Sequence, residues 1–70
     1  MTQVQITNGP VYEMIQDKLT GLHATTWDYL EIEILGRRKG TTAREQHAYV
    51  VQTKNGGETF LISRSQFRLL

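Results

Sequence analysis

Apolar and polar residues alternate along several short segments of this chain, which is the pattern of half-buried β-strands. A first short strand is predicted over residues 3–7, and the longest alternating segment covers residues 27–35. Residues 46–54 are rich in β-branched and aromatic side chains and predict a further strand. Residues 58–63 predict the strand that returns from it, and residues 67–70 predict a closing strand or a helical end.

The segment between the first two strands has a different spacing. Its apolar residues recur every three or four positions, at Val11, Met14, Ile15 and Leu19. This spacing predicts one apolar stripe along a helix over residues 10–20. Proline suits the first helical position, and Gly21 suits a left-handed stop after the last turn. A strand over residues 11–16 is the competing interpretation.

Residues 55–57, Asn-Gly-Gly, are the strongest turn signal in the chain, because these residues accept the positive φ of a two-residue hairpin. A turn centred on residues 55 and 56 places Val51 opposite Phe60, and one centred a residue later places it opposite Ile62. A second hairpin is predicted by pairing Gly36 with Glu45. Both hairpins put one set of side chains on a common face, which we expect to be the core. The set is Leu30, Ile32, Ile34, Tyr49, Val51, Phe60 and Ile62.

The opposite face carries a second apolar set, Tyr29, Val50 and Leu61, which a fully solvated face does not need. We therefore expect the sheet to curl into a barrel, to be covered by another element, or to meet a partner. The predicted class is α+β but mainly β. It is a strongly bent antiparallel sheet, or a small SH3-like or Sm-like barrel, of four or five short strands with one N-terminal helix. The layout resembles that of Sm-like RNA chaperones in architecture only, without their motifs.

Composition narrows the class further. Seventy residues predict a single domain, 1–70, which is small for building a large core. There is no cysteine and there are only two histidines, so disulfides are excluded, and we expect neither a metal site nor a cofactor. No signal peptide and no membrane span are evident, which predicts a cytoplasmic protein that does not enter a membrane. A chain this small scarcely encloses a catalytic pocket, so we expect no enzymatic activity.

Charge is divided unevenly although the net charge is only +1. Residues 1–35 contain one lysine and five carboxylates, whereas residues 36–70 contain seven cations and two carboxylates. The division predicts either a polarised surface for a charged partner or two halves that neutralise each other when packed.

Half of the eight cations lie between residues 36 and 44, which we interpret as a basic hairpin loop bounded by glycines. Arginine side chains on such a loop can hold phosphates, and aromatic side chains nearby can stack on bases. Our first hypothesis is therefore a small regulator that binds DNA or RNA. Its candidate contacts are Arg37, Arg38, Lys39, Arg44, Arg64 and Arg68.

The second hypothesis, ranked just behind, is an adaptor or inhibitor that docks on a larger protein. Small cysteine-free proteins with divided charge are typical of phages and mobile elements and commonly act in this way. The candidate interface is Trp27, Tyr29, Val50 and Leu61, because tryptophan and tyrosine dominate binding hot spots. Self-association is left open by the charge division.

Other candidate residues have simpler interpretations. Glu31 and Glu33 share one face of a strand, but without a third ligand they are expected to pair with cations or with water rather than with a metal. His47 is placed by parity on the core-facing side and is expected to be partly buried, whereas His23 is expected to be exposed.

Overall fold

The computed structural model of this chain describes residues 2–40, 42, 47–55 and 57–70. These residues form seven β-strands in one antiparallel sheet and a single 3₁₀ turn, Arg64–Gln66, with no α-helix in the part described. The strands are β1 (Thr2–Gln5), β2 (Val11–Ile15), β3 (His23–Thr26), β4 (Glu31–Arg38), β5 (Ala48–Thr53), β6 (Thr59–Ser63) and β7 (Phe67–Leu69). The prediction of a mainly β fold is therefore confirmed, although the sheet is not closed into a barrel.

Strand β4 is the hub of the sheet, because it pairs with three others. Strand β5 runs along one edge, between the pairs Ile32–Thr53 and Arg37–Tyr49. The other edge is shared: β3 pairs with the first half of β4, and β2 pairs with its end at Arg37 and Arg38. Strand β7 extends the sheet beyond β3, and β1 extends it beyond β2.

The change of partner coincides with a bulge in β4. Its register against β5 shifts between Ile34 and Gly36, which leaves Leu35 as the extra residue. A bulge bends a strand and increases its twist, so the two halves of β4 can serve different neighbours. Gly36 is buried beside it, and a Cβ placed on this residue would lie 2.6 Å from Met14 Cγ and 2.7 Å from the Ile15 carbonyl oxygen. Glycine is therefore required at the point where β2 approaches β4 most closely.

The predicted helix over residues 10–20 is wrong, and the competing strand is the one observed as β2. Residues 6–10 form a tight turn in which the Ile6 N–H donates to the Pro10 carbonyl and Asn8 has a left-handed φ of 59°. A second turn follows, where the Thr20 N–H donates to the Asp17 carbonyl. Gly21 has the predicted left-handed conformation, with a φ of 87°, but it follows this turn and not a helix. Turns at both ends leave β2 too short for a helix, and its β-branched and aromatic residues suit a strand.

For the hairpin at residues 55–57, one of the two predicted registers is confirmed. Strands β5 and β6 pair with Val51 opposite Phe60, the register of a turn centred on residues 55 and 56. The pairing of Gly36 with Glu45 is wrong, because Gly36 lies opposite Val50. Strand β4 starts at Glu31, later than predicted, and continues through Arg38. The first residues of the predicted basic loop therefore belong to this strand.

The core lies on one face of β3, β4, β5 and β6 and is closed by β7. Its buried members are Ala24, Ile32, Ile34, Val51, Ile62 and Phe67, with Leu19, Tyr49 and Phe60 packed around them. Six of the seven predicted core residues belong to this cluster. Four of them are buried, and Tyr49 and Phe60 are packed against them. Leu30 was predicted to be in the core but is 43% exposed, because it belongs to the turn before β4.

The second face of the sheet is reached by the tip of the hairpin of β1 and β2. Val50 is fully buried, and Thr59 beside it is 9% exposed. The tip of the hairpin reaches β6, where the Thr7 N–H donates to the Thr59 carbonyl at 3.0 Å and the Thr59 N–H donates to Thr7 Oγ1 at 2.8 Å. Val50 is therefore packed inside the fold, and its prediction as an interface residue is wrong.

No helix in the described part of the chain has the length and the apolar character needed to cross a membrane.

We expect Gly36→Ala to destabilise the fold by roughly 1–3 kcal/mol, because the added methyl overlaps both Met14 and the Ile15 carbonyl. The measurement is the urea midpoint of unfolding. The matched control adds Met14→Ala, which removes the side-chain clash but leaves the backbone clash, so only part of the stability should return. Unfolding of the Gly36→Ala variant at the wild-type midpoint would contradict this account of the crossing.

Candidate functional site

The cations of the predicted basic loop contact their own chain. Arg37 Nε lies 3.8 Å from Asp17 Oδ1, and Lys39 Nζ lies 3.7 Å from Glu13 Oε2. The Lys39 N–H also donates to the Glu13 carbonyl at 2.9 Å. These two cations are held against β2 and the turn that follows it instead of projecting from a loop.

Arg38 stacks on an aromatic ring. Its guanidinium carbon lies 4.3 Å from the centroid of Tyr12, a cation–π contact. Its Nε is buried and has no hydrogen-bond partner among the described residues, and the same holds for Nε of Arg37. Arg44, the fourth cation of the predicted loop, lies outside the described residues.

The ion pairs explain the uneven charge. The third pair joins Lys54 Nζ to Glu31 Oε2 at 3.1 Å. In all three pairs of the described residues, the carboxylate comes from residues 1–35 and the cation comes from residues 36–70. The halves therefore neutralise each other when they pack, which was one of the two interpretations of the charge division.

Asp17 also binds a tyrosine. The Tyr49 hydroxyl donates to Asp17 Oδ2 at 3.3 Å, and the Tyr49 ring packs edge-on against Phe67 with centroids 5.6 Å apart. Burial raises the pKa of the Tyr49 phenol above its ordinary value, and the Asp17 carboxylate raises it further. Arg37 and Arg64 act electrostatically in the opposite direction. This part of the predicted basic surface is thus a structural cluster.

The remaining candidate arginines lie on either side of the last turn. Arg64 Nη1 donates to the Phe67 carbonyl at 3.0 Å, and its guanidinium lies 4.9 Å from the Phe67 ring. Arg68, on β7, lies 5.9 Å from the ring centroids of both Trp27 and Tyr29. The structure therefore associates Arg68 with the candidate aromatic residues and Arg64 with the core.

Trp27 and Tyr29 lie on a turn between β3 and β4 whose backbone is tied together by Thr26. The Thr26 N–H donates to the Leu30 carbonyl at 3.0 Å, and the Tyr29 N–H donates to the Thr26 carbonyl at 2.9 Å. The Thr26 hydroxyl accepts from the Leu30 N–H and donates to Asp28 Oδ1. We name residues 26–30 the aromatic turn.

The two aromatic side chains of this turn face solvent. Trp27 is 63% exposed and Tyr29 is 77% exposed, yet the Trp27 indole N–H is fixed by donation to the Ser65 carbonyl at 2.8 Å. Tyr29 has a φ of 66°, in the left-handed region, which is unfavourable for most residues other than glycine, asparagine and aspartate. A bulky residue is thus held in a strained conformation while its ring contributes little to the core.

An open groove of about 630 Å³ lies between the aromatic turn and β6. Its walls and floor include Trp27, Leu30, Phe60, Leu61, Ile62 and Gln66. The groove marks the side on which the sheet fails to close. Of the predicted interface residues, the structure brings Trp27 and Leu61 into it, places Tyr29 on the adjoining surface, and leaves Val50 buried.

The charge beside the groove is slightly acidic. Asp28 lines the groove, and Glu58 lines the adjoining depression beyond Leu30; neither has an ion-pair partner among the described residues. The hydrogen bond from the Thr26 hydroxyl lowers the pKa of Asp28, with its own backbone N–H acting in the same direction. Asp28 is therefore ionised at neutral pH.

The other candidate residues have structural explanations. Glu31 pairs with Lys54, as expected for a strand carboxylate. His47 is exposed, so the prediction of partial burial is wrong, because the true register places it before the start of β5; His23 is exposed as predicted. Within the described part of the chain, no group of three or more histidine, aspartate or glutamate side chains is placed to hold a metal ion.

Sequence reasoning missed Leu30, Phe60 and Ile62 as groove residues, because it assigned all three to the core. Phe60 and Ile62 do belong to the core cluster and also line the groove. The prediction of a strand through residues 27–30 also concealed the aromatic turn. Asp28 was the available signal in the sequence, since aspartate commonly initiates turns.

No protein-family model matches this chain, and comparison with curated proteins and with solved structures likewise finds no match.

We expect Asp17→Asn to lower the pKa of Tyr49, because the variant removes the carboxylate charge that disfavours the phenolate. The raised pKa means that the folded chain holds this proton more tightly than the unfolded chain. Tyr49 thus stabilises the fold below its ordinary pKa of about 10, and the contribution is lost as the pH rises beyond that value. Ultraviolet titration of the phenol measures the shift, with Tyr49→Phe as the control; an unchanged Tyr49 titration in Asp17→Asn would refute the coupling.

Proposed function

We propose that this chain is a small non-enzymatic binding protein that docks on a partner protein through the aromatic turn and the groove beside β6. The contact residues would be Trp27, Tyr29, Leu30 and Leu61. The adaptor or inhibitor hypothesis is thereby ranked ahead of nucleic-acid binding, with Leu30 replacing Val50.

One observation carries this proposal: two large aromatic side chains are exposed on a turn that is fixed by hydrogen bonds and strained at Tyr29. Strain of this kind persists where the surrounding structure enforces it, and it is concentrated at binding and active sites. Rigid aromatic side chains also lose little conformational entropy on binding, which makes them effective anchors.

The local charge favours a protein over a nucleic acid at this surface. Asp28 and Glu58 are carboxylates of this region without an ion-pair partner in the described part of the chain, and Arg68 is the cation beside the aromatic rings. Phosphates would be repelled by these carboxylates, whereas a peptide with apolar and basic side chains would be attracted.

The test uses the fact that Trp27 is the only tryptophan in the chain. Peptides are selected from a random library on the immobilised protein and are then titrated while the emission of Trp27 is recorded. Binding at the groove should shift the emission to shorter wavelength as the indole leaves water. Leu61→Glu should abolish the response, whereas Val11→Ala, at a residue that is 55% exposed outside the groove, should not.

We expect Tyr29→Gly to weaken binding of a selected peptide at least tenfold while leaving the fold at least as stable. Relief of the left-handed conformation is worth roughly 1–2 kcal/mol, and the extra backbone entropy that glycine loses is roughly 0.5–1 kcal/mol. The net gain in unfolding free energy is therefore between zero and about 1.5 kcal/mol. Urea unfolding and peptide titration measure the two effects separately.

The matched control is Tyr29→Phe, which keeps the ring and the strain and should preserve both affinity and stability. If Tyr29→Gly binds the peptide as the wild type does, the strained tyrosine has no role in recognition.

Binding of single-stranded DNA or RNA is the second candidate function. The observation in its favour is that Arg68 lies beside Trp27 and Tyr29, since cations and exposed rings together form stacking platforms for bases. Arg64 and the cations at Arg37, Arg38, Lys39 and Arg44 would contribute phosphate contacts in this alternative.

If the second candidate is correct, a mixed-sequence single-stranded oligonucleotide should bind with an affinity that falls steeply with salt. Arg68→Ala should reduce the slope of log affinity against log salt by about 0.7 for the phosphate contact that it removes. Lys18→Ala, at an exposed cation remote in sequence from the candidates, is the control. Absence of salt-sensitive binding to either DNA or RNA would eliminate this candidate.

A further inference from the structure

Strand β6 has one edge that is paired with β5 and one that faces the groove. In an antiparallel pair, successive residues direct their backbone N–H and C=O groups alternately toward and away from the partner strand. The Thr53 N–H donates to the Glu58 carbonyl, which places Glu58 on the side of β5. By alternation, Phe60 and Ile62 also turn toward β5, and Thr59, Leu61 and Ser63 turn toward the outer edge.

The outer edge is blocked at both ends. The N–H and the C=O of Thr59 are both hydrogen-bonded to Thr7, and these two bonds fix the tip of the N-terminal hairpin. At the other end, the Ser63 N–H donates to Gln66 Oε1 at 3.1 Å. Between them, the N–H and C=O of Leu61 have no hydrogen-bond partner among the described residues. One residue at the centre of this edge is therefore open to pairing.

We infer that the groove binds a short extended segment of the partner protein, whose backbone pairs with Leu61 of β6. This inference rests on the proposed function and specifies the ligand of the same site. The segment contributes one residue that exchanges two hydrogen bonds with Leu61, as in the addition of a strand to a sheet edge. The blocked ends limit the pairing to this residue, so the segment is short.

The pleat of the sheet determines which side chains of the segment enter the groove. The residue paired with Leu61 carries its side chain on the Leu61 face, and its two neighbours carry theirs on the face of Phe60 and Ile62. Those neighbours would contact an apolar surface made by Leu30, Phe60 and Ile62, with Trp27 as the opposite wall. The expected segment therefore has the pattern apolar–any–apolar.

Charge adds a second requirement. Asp28 is the charged residue that lines the groove, it is ionised, and it has no ion-pair partner in the described part of the chain. A basic residue next to the apolar–any–apolar core would meet it. A second copy of this chain fits less well, because two β6 strands paired about Leu61 would bring Thr59 opposite Ser63, and both already have hydrogen-bond partners.

The test uses three capped pentapeptides of sequence Lys-Leu-Ala-Leu-Lys. The first is unmodified, the second has an N-methyl group on the central alanine, and the third has it on one leucine. The alanine N–H would donate to the Leu61 carbonyl, whereas the leucine N–H groups would point away from β6. Methylation of the alanine should weaken binding roughly tenfold, as expected for loss of a hydrogen bond, and methylation of the leucine should not.

Two readouts on the intact protein distinguish the outcomes. Trp27 emission reports whether the groove is occupied, and amide hydrogen exchange reports whether the Leu61 N–H is bonded in the complex. Slower exchange at Leu61 with the unmodified peptide, together with the tenfold loss on alanine methylation, supports the inference. Equal binding of all three peptides with unchanged Leu61 exchange overturns strand addition but leaves the proposed docking function intact.

The remaining outcomes are also decisive. If neither these peptides nor library peptides change Trp27 emission, the proposed function itself fails. If Leu61 is protected in the absence of peptide and sedimentation shows a concentration-dependent dimer, the occupant of the edge is a second copy of this chain, and the inference is wrong.

Discussion

The whole arrangement depends on the bulge at Leu35, where β4 changes its neighbour. Before the bulge, the outer edge of β4 is occupied by β3, and after it the same edge is occupied by β2. Without the bend, the N-terminal hairpin would continue the sheet in its own plane instead of covering Val50. Gly36 permits the close approach, since a side chain there would occupy the space of Met14 and the Ile15 carbonyl. One extra residue and one missing side chain therefore convert a flat meander into a two-sided fold.

The groove is a consequence of the same bend. The sheet curls far enough for the hairpin tip to reach Thr59, but β6 and the aromatic turn remain apart. Free strand edges are usually protected, because they invite pairing with other chains. Here Thr7 and Gln66 protect the two ends of β6 and leave the middle exposed next to Trp27. The same two residues therefore restrict any pairing at this edge to its middle, at Leu61.

Local patterns predicted much of the sheet and little of its topology. Alternation predicted β4, β5 and β6 approximately. Asn55 with its following glycines predicted a hairpin with two alternative registers, of which the structure has the one that places Val51 opposite Phe60. The spacing of Val11, Met14, Ile15 and Leu19 was compatible with a helix and with a strand followed by a turn, and tertiary contacts decided between them. The bulge at Leu35 shifted the partners of every later residue of β4, which no short-range signal revealed.

The candidate site was predicted only in part, for a related reason. Trp27 and Tyr29 were predicted as interface residues from their chemistry, and both are exposed, whereas the pairing of Arg37 with Asp17 depends on a contact between distant segments. A cluster of cations looks available in the sequence until the carboxylates that neutralise it are placed beside it. Charge runs are therefore weaker evidence of function in a chain whose two halves carry opposite charge.

The bond between Thr7 and Thr59 has a bearing on how the molecule reaches its native state. Its partners are 52 residues apart in a chain of 70, so the tip of the N-terminal hairpin cannot be fixed until nearly the whole polypeptide is available. Strand β7 likewise must come back to β3 from the far end of the chain. Such non-local closure slows folding relative to that of helical proteins of equal length, and it favours a single cooperative transition over assembly in stages. A nascent or truncated chain that lacks β6 could still pair β2 with the end of β4, but the tip of its N-terminal hairpin would have no Thr59 to bind.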